Sequence, residues 1–254
     1  MKAIIIFFIG LLTGSTVVAQ HAKFITTGTI EYDKTINMFA IARGLLNKND
    51  VFSNQAFEQY QKNQPQFVKF KGKLIFNKDK TLFTTERPIE NVVIFQANPL
   101  ANQYNTTYVD FSSGISTILR SIQGQDFLVK DSIRKIKWRI MGDTREIAGY
   151  TCREAHGVVQ DSIYVVAFYT DKIWVSGGPE SFSGLPGMIL QVTLPREHVT
   201  WAATKVTIEP VPDAALTPPQ KGKPISNKQL VETLRAAFSA RGSTGKYQLK
   251  IFTL

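Results

Sequence analysis

Phe67-Val68-Lys69-Phe70-Lys71-Gly72-Lys73-Leu74-Ile75-Phe76 is the stretch that decides the fold class. Apolar and basic residues alternate along it, the period of a strand with one buried and one solvated face. Asn77-Lys78-Asp79-Lys80 then reads as a turn, and residues 81–85 return as a second strand. Outward from this hairpin the pattern repeats. Residues 25–39 read as a first strand carrying Ile30 and Tyr32. Further strands are predicted over 91–96, 106–111, 117–122, 126–130, 135–140, 149–155, 162–170, 188–194 and 199–208. Short gaps with Asp, Asn, Gly and Ser separate them. Many short strands joined by short turns imply an antiparallel meander. Such a sheet, apolar on one face, needs a cover. The predicted fold is therefore mainly β: a strongly curved antiparallel sheet or half-open barrel, with one or two short covering helices.

Two segments break the strand pattern. Residues 40–65 are rich in Asn and Gln and read as an insertion, with a short helix after Ser53 that carries Phe57 and Tyr60 on one face and ends before Pro65. Residues 209–224 hold several prolines and read as a connector. A helix is predicted over 226–241. Ser226 is its N-cap and Gln229, three residues on, completes a capping box. Ile225 and Leu230 are placed as a hydrophobic staple. Leu230, Val231, Leu234 and Phe238 form its apolar stripe, and Gly242 its stop. A last strand is predicted over 247–252.

The first twenty residues follow a different logic. Lys2 precedes an apolar run from Ala3 to Leu12, and small residues lead to Val17-Val18-Ala19-Gln20. A charged start, an apolar run of about ten residues and a small-residue end make a cleavable secretory signal, too short to span a bilayer. The expected organisation is a signal peptide over 1–20 and one β-rich domain over 21–254. The mature protein is expected in the periplasm or at the outer-membrane periphery, with no transmembrane segment after cleavage. The net charge is +10, and the leader contributes Lys2 and no acid. In an envelope a basic protein meets anionic headgroups before nucleic acid. Basic residues are scattered, with Lys69–Lys73 and Arg134–Lys137 as the densest clusters, so no nucleic-acid partner is expected.

Signals for catalysis are poor. There is no Gly-x-Ser-x-Gly elbow and no His-Glu-x-x-His helix. Gly242-Ser243-Thr244-Gly245-Lys246 fails as a phosphate loop, because Tyr247 follows the lysine and no strand-to-helix unit surrounds it. The three histidines are His21, His156 and His198. His21 lies at the new N-terminus, and neither of the others has a telling sequence neighbour. Asp110 and Asp126 are a candidate carboxylate pair. The one cysteine, Cys152, excludes an internal disulfide. Core packing is its default role, and a soft-metal site with His156, Met141 or Met188 is the alternative. In an extended strand Cys152 and His156 stand about 13 Å apart, so joint ligation needs a bend. No cofactor is implied.

The most sharply specified loop runs from Ser176 to Leu190. Gly178, Pro179, Gly184, Leu185, Pro186 and Gly187 fix its backbone, either to turn a sheet corner or to present backbone to a ligand. Gly184-Leu185-Pro186-Gly187-Met188-Ile189 resembles the motif of the GLPGLI family, with Met188 for the usual Leu. Ile147–Ala155 is similar to that family's Gly-Tyr-x-Cys segment. Ala167–Ile173 is similar to its Ala-Trp-Tyr-Thr strand with Phe168 for Trp, and Gly178-Pro179 to its Gly-Pro step. With Thr29-Ile30-Glu31-Tyr32 and the leader, the likeness covers most of the mature chain. The resemblance implies an envelope protein of Bacteroidota and no assigned catalytic residue. The meander with a helix also resembles the half-open barrels of periplasmic lipoprotein carriers, a likeness of fold alone.

The expected function is a non-catalytic binding or accessory role, with a lipid-like, hydrophobic ligand or an outer-membrane transporter as partner. Phe70, Leu74, Trp138 and Phe168 are the candidate cavity lining. The alternatives are copper binding through Cys152 and an envelope hydrolase. The hydrolase would need a pocket joining His156 or His198 to a carboxylate and a hydroxyl.

Overall fold

Residues 24–46, 50–86, 99–160 and 162–254 are described by a computed structural model of the chain. The leader, His21 and the strand expected over 91–96 lie outside the described residues. Twelve strands within them form a single mixed sheet that is not closed into a barrel. The first six are β1 (Gly28–Asn37), β2 (Phe67–Phe76), β3 (Lys80–Thr85), β4 (Thr106–Asp110), β5 (Ile115–Ile122) and β6 (Gln125–Ser132). The next five are β7 (Arg139–Ile147), β8 (Tyr150–Val159), β9 (Ile163–Thr170), β10 (Met188–Leu194) and β11 (Val199–Thr207), and β12 is Lys223–Ile225. The spatial order is β12-β6-β5-β4-β3-β2-β1-β11-β10-β9-β8-β7. Two meanders, β1 to β6 and β7 to β11, are thus joined by antiparallel pairing of β1 with β11.

The alternation that predicted β2 is realised literally. Val68, Phe70, Leu74 and Phe76 are buried, and Lys69, Lys71 and Lys73 face solvent. Gly72 lies on the inner face under the Phe83 ring, whose Cζ would stand 2.7 Å from an added Cβ. In the turn, Asn77 Oδ1 accepts from the backbone N–H groups of Asp79 (3.1 Å) and Lys80 (2.8 Å). On β1 the inward residues are Ile30, Tyr32, Lys34 and Ile36. The Tyr32 hydroxyl donates to the Ile189 carbonyl (2.6 Å), tying β1 to β10 across the core.

Several expectations are corrected. The sheet is not wholly antiparallel, because β12, at the end of the connector, pairs with β6 in parallel. Five α-helices occur among the described residues, not one or two: α1 (Met38–Leu45), α2 (Val51–Asn63), α3 (Pro99–Asn102), α4 (Asn227–Phe238) and α5 (Gly242–Phe252). The last overturns the strand expected over 247–252. Its residues continue a helical stripe, and Ile251 and Phe252 are buried. Gly242 opens α5 at positive φ (+55°) rather than ending the chain's last helix. Residues 133–138 are a connection, not the start of β7. The insertion is helical as expected, but its helix begins at Val51, before Ser53, and its Phe57 and Tyr60 pack edge-on against Phe39.

The capping box of Ser226 and Gln229 is formed. Leu230, Leu234 and Phe238 of α4, with Phe252 of α5, cover Ile118, Ile122, Phe127 and Val129 of β5 and β6. The larger core lies against β1, β2 and β8 to β11.

The loop 176–187 is part of that core. Phe182 and Leu185 are each 1 % exposed, and Phe182 sits 5.9 Å from Trp201 by ring centroid. Gly187 has φ +146°, and a Cβ there would lie 2.1 Å from the Thr170 carbonyl oxygen. Gly114, in a solvent turn, has φ +70° and open space around it. Gly187→Ala is therefore expected to destabilise the protein by about 3 kcal/mol, and Gly114→Ala by about 1 kcal/mol. Equal losses in urea unfolding would contradict a glycine demanded by contact as well as by dihedral.

Candidate binding cleft

The six-residue strap 133–138 joins β6 to β7, and open space lies on both sides of it. One cleft, about 620 Å³, is lined by Arg134, Lys135, Ile136, Lys137 and Arg139 facing residues 156–159 of β8, Gln160 just beyond it and Tyr164 of β9. A second, about 250 Å³, is lined by Arg134 and Lys135 together with Arg120 of β5, Val129 of β6 and Ser181 of the buried loop. The strap is seated by Trp138, whose Nε1 donates to the Ser183 carbonyl (2.9 Å). Gly157 makes room for it: a Cβ there would meet Trp138 Cε3 at 2.9 Å and Ile136 Cγ2 at 3.0 Å. This is why a glycine stands in the middle of β8.

The outer cleft is basic and partly apolar. Lys135, Lys137 and Arg139 are exposed, and so is Val158, at 51 %. On its floor Glu154 Oε1 accepts from His156 Nε2 (2.6 Å), and His156 Nδ1 meets the Tyr164 hydroxyl at 2.8 Å. With the carboxylate as acceptor, the neutral ring carries its proton on Nε2 and accepts the Tyr164 O–H at Nδ1. A Tyr–His–carboxylate relay can orient an imidazole and move a proton along it. Sequence reading gave His156 no neighbour. Glu154 is two residues away on the same strand face, and Tyr164 comes from β9, where Val158 pairs with Tyr164.

The inner cleft borders buried charge. Arg120 is 4 % exposed, and its Nη1 donates to the Phe252 carbonyl (2.8 Å). Arg134 Nη2 donates to the Thr253 carbonyl (2.8 Å). Both guanidiniums thus sit at the carbonyl end of α5, where a helix favours positive charge. Burial, then repulsion from Arg120, pushes the Arg134 pKa down to about 10, so it stays charged at neutral pH. Lys34, 3 % exposed, lies 5.2 Å above the Trp201 ring centroid. Burial lowers the Lys34 and Arg120 pKa values, and Glu180 opposes the shift in both. Glu180 itself accepts from Asn105 Nδ2 (3.1 Å) and Thr85 Oγ1 (3.4 Å).

The other sequence candidates fall elsewhere. Phe70, Leu74 and Phe168 are buried in the sheet, Trp138 is partly buried, and none of the four lines either cleft. The Arg145 guanidinium covers the Phe168 ring at 4.1 Å. Gly178, Pro179, Gly184, Leu185, Pro186 and Gly187 shape the packed loop. Gly184 N–H donates to Ser176 O (3.1 Å) and Ile189 N–H to Gly177 O (2.9 Å).

Cys152 is fully buried, and its thiol points to the Tyr150 carbonyl (3.4 Å). Burial, and secondarily Glu146, push its pKa up to about 12, so it stays a thiol at neutral pH. Met188 is buried. Among the described residues no group of three His, Cys, Asp or Glu is placed to hold a metal ion. Asp110 and Asp126 sit against opposite ends of β5, paired with Ile115 and Ser121. That puts them about 20 Å apart along the strand. His198 is exposed at φ +55°, in a separate cleft of about 350 Å³ with Thr244 and Tyr247. Its neighbour Glu197 is ion-paired to Lys250 at 2.9 Å.

Comparison with known proteins adds little chemistry. The profile of a family described as proteins of unknown function (Porph_ging) matches residues 155–191, which include His156, Tyr164 and the buried loop. No curated protein matches the chain. Two crystal forms of PNGF-II are similar at 18 % and 17 % identity, with TM-scores of 0.48 and 0.47. Each match covers 79 % of this chain and 32 % or 31 % of the other, so the chain spans about a third of that relative's length. An uncharacterized conserved protein from Thermus thermophilus is similar at 7 % identity and a TM-score of 0.35, over 78 % of this chain and 90 % of its own.

Proposed function

We propose that this is a non-catalytic binding protein of the cell envelope, at the periplasm or outer-membrane periphery. Its ligand is an anionic amphiphile held along the strap 133–138. The observation that carries this reading is the outer cleft: basic side chains on the strap face the exposed aliphatic surface of Val158. That pairing suits a molecule with an anionic head and an apolar body. The site is at the rim and not inside the sheet, because the loop 176–187 already occupies the interior. The GLPGLI resemblance, the leader and the basic charge support the envelope location.

The reading includes a strongly curved sheet, a half-open barrel with the strap lying in its opening. Ten steps of strand order separate β6 from β7, about 48 Å if the sheet were flat. The chain from Ser132 to Arg139 reaches at most about 25 Å. Two consecutive residues also touch both flanks. Phe252 accepts from Arg120 of β5, and the Thr253 hydroxyl accepts from Gln160 Nε2 (3.0 Å) just past β8.

Calorimetry with dodecyl phosphate, below its critical micelle concentration, tests the binding reading. Wild type is expected to bind it and to ignore dodecyl maltoside. Lys137→Ala/Arg139→Ala is expected to weaken binding about tenfold. No binding by wild type, or equal affinity for both amphiphiles, would contradict it.

The Glu154–His156–Tyr164 relay favours a second reading, hydrolysis, in which His156 takes a proton from Tyr164 or from water and Glu154 steadies the imidazolium. The binding reading expects wild type and His156→Gln to hydrolyse p-nitrophenyl acetate at the same rate. A loss of about 100-fold in the variant would put hydrolysis in its place.

A further inference from the structure

We infer that Arg120 and Arg134 form a phosphate-binding subsite in the inner cleft, which takes either the headgroup of the amphiphile proposed above or free phosphate. The inference rests on that reading for its biological ligand and on the following geometry for its chemistry.

The guanidinium of Arg134, from the strap, and that of Arg120, from β5, sit on the consecutive carbonyls of Thr253 and Phe252, and no ion pair neutralises either among the described residues. Capping of α5 uses Nη1 of Arg120 and Nη2 of Arg134. It leaves Nη1 of Arg134, which is buried and has no hydrogen-bond partner among the described residues. An unmet charged donor in the interior is costly, and helix carbonyls supply only partial charge against it. Glu180 is the one carboxylate acting on Arg120, it also acts on Lys34, and Asn105 and Thr85 already hold it. Two buried cations, Lys34 and Arg120, thus share one half-buried carboxylate, and Arg134 beside them feels chiefly its own burial and the repulsion of Arg120.

The space beside the two arginines is the right size and chemistry for an oxyanion. The cleft of about 250 Å³ is also lined by Ser116 and Asn227, side chains capable of donating to a phosphate oxygen, and by Ser181, whose hydroxyl donates to the Leu254 carbonyl (3.1 Å). A guanidinium offers paired donors in a planar fork that matches phosphate. Asp131 lines the same cleft and would repel an anion. Its Oδ1 accepts from Ser132 N–H (2.7 Å) and Oγ (3.3 Å), and its Oδ2 from Asn227 N–H (3.2 Å), on the exposed side. Arg134 and Lys135 line both clefts. A headgroup on the arginines could therefore continue into an apolar body along Ile136 and Val158.

The test is titration of the full mature chain with inorganic phosphate and, separately, with dodecyl phosphate, read by calorimetry and by the phosphorus NMR shift. Arg134→Met is expected to lose at least about tenfold in affinity for whichever probe wild type binds. Arg134→Lys keeps a charge and removes the fork, and decides the matter should Arg134→Met fail to fold: the same tenfold loss is expected, and full affinity would overturn the subsite. Binding of both probes assigns the site to phosphate itself, and binding of dodecyl phosphate alone assigns it to a headgroup. Wild type and Arg134→Met binding dodecyl phosphate equally would overturn the subsite while the binding reading stands. If wild type binds neither probe, both fail.

Discussion

Six residues must carry the chain from β6 to β7, strands that stand ten places apart in one sheet. The constraint is tighter than the lateral gap alone. An even number of antiparallel steps makes β6 and β7 point the same way, so the strap must also travel back along the strand direction. A short extended segment can do both only if the sheet's two flanks approach each other. In the proposed half-open barrel the strap then lies where a closed barrel would have its missing pairing. The two clefts are the spaces it leaves on either side.

The interior is closed from within. The apolar face of a sheet this large needs a cover. Here the loop 176–187 does so, held by hydrogen bonds to β10, to the strap through Trp138, and to Thr85 and Asn105 through Glu180. Its glycines are contact requirements: Gly187 against the Thr170 carbonyl and Gly178 against Ile189. A loop shaped by packing accounts for the density of glycine and proline in the motif without any ligand. The proposed function accordingly places recognition at the rim, where the charge is.

Much of the sheet was legible because β periodicity is local. Val68 to Phe76, Ile30 to Ile36 and the turn at Asn77 need only their own alternation. The C-terminal segment misled because Tyr247 to Phe252 is short enough to satisfy either period. The helix became visible only with Phe252 stacked on Phe238 (5.7 Å). The strap misled in the other direction, since Arg134 to Ile140 alternates like a strand but pairs with none until Arg139. The buried cations have a local signal. Lys34 falls in phase with Ile30, Tyr32 and Ile36, and Arg120 with Ile118 and Ile122. A charge on the inward phase of an apolar strand marks a buried site. What no strand-by-strand reading could supply is Tyr164 beside His156, or Arg134 beside Arg120, because both juxtapositions depend on how separate segments meet.

The central claim is that the flanks of the sheet converge on the strap. The most direct measurement is the electron–electron distance between spin labels at Asp126→Cys on β6 and Ile140→Cys on β7, both exposed positions. The buried thiol of Cys152 does not compete for label. Convergence predicts a narrow distribution below about 30 Å. A distance near the 48 Å of a flat sheet, about ten strand spacings, would contradict the account and with it the placement of the cleft.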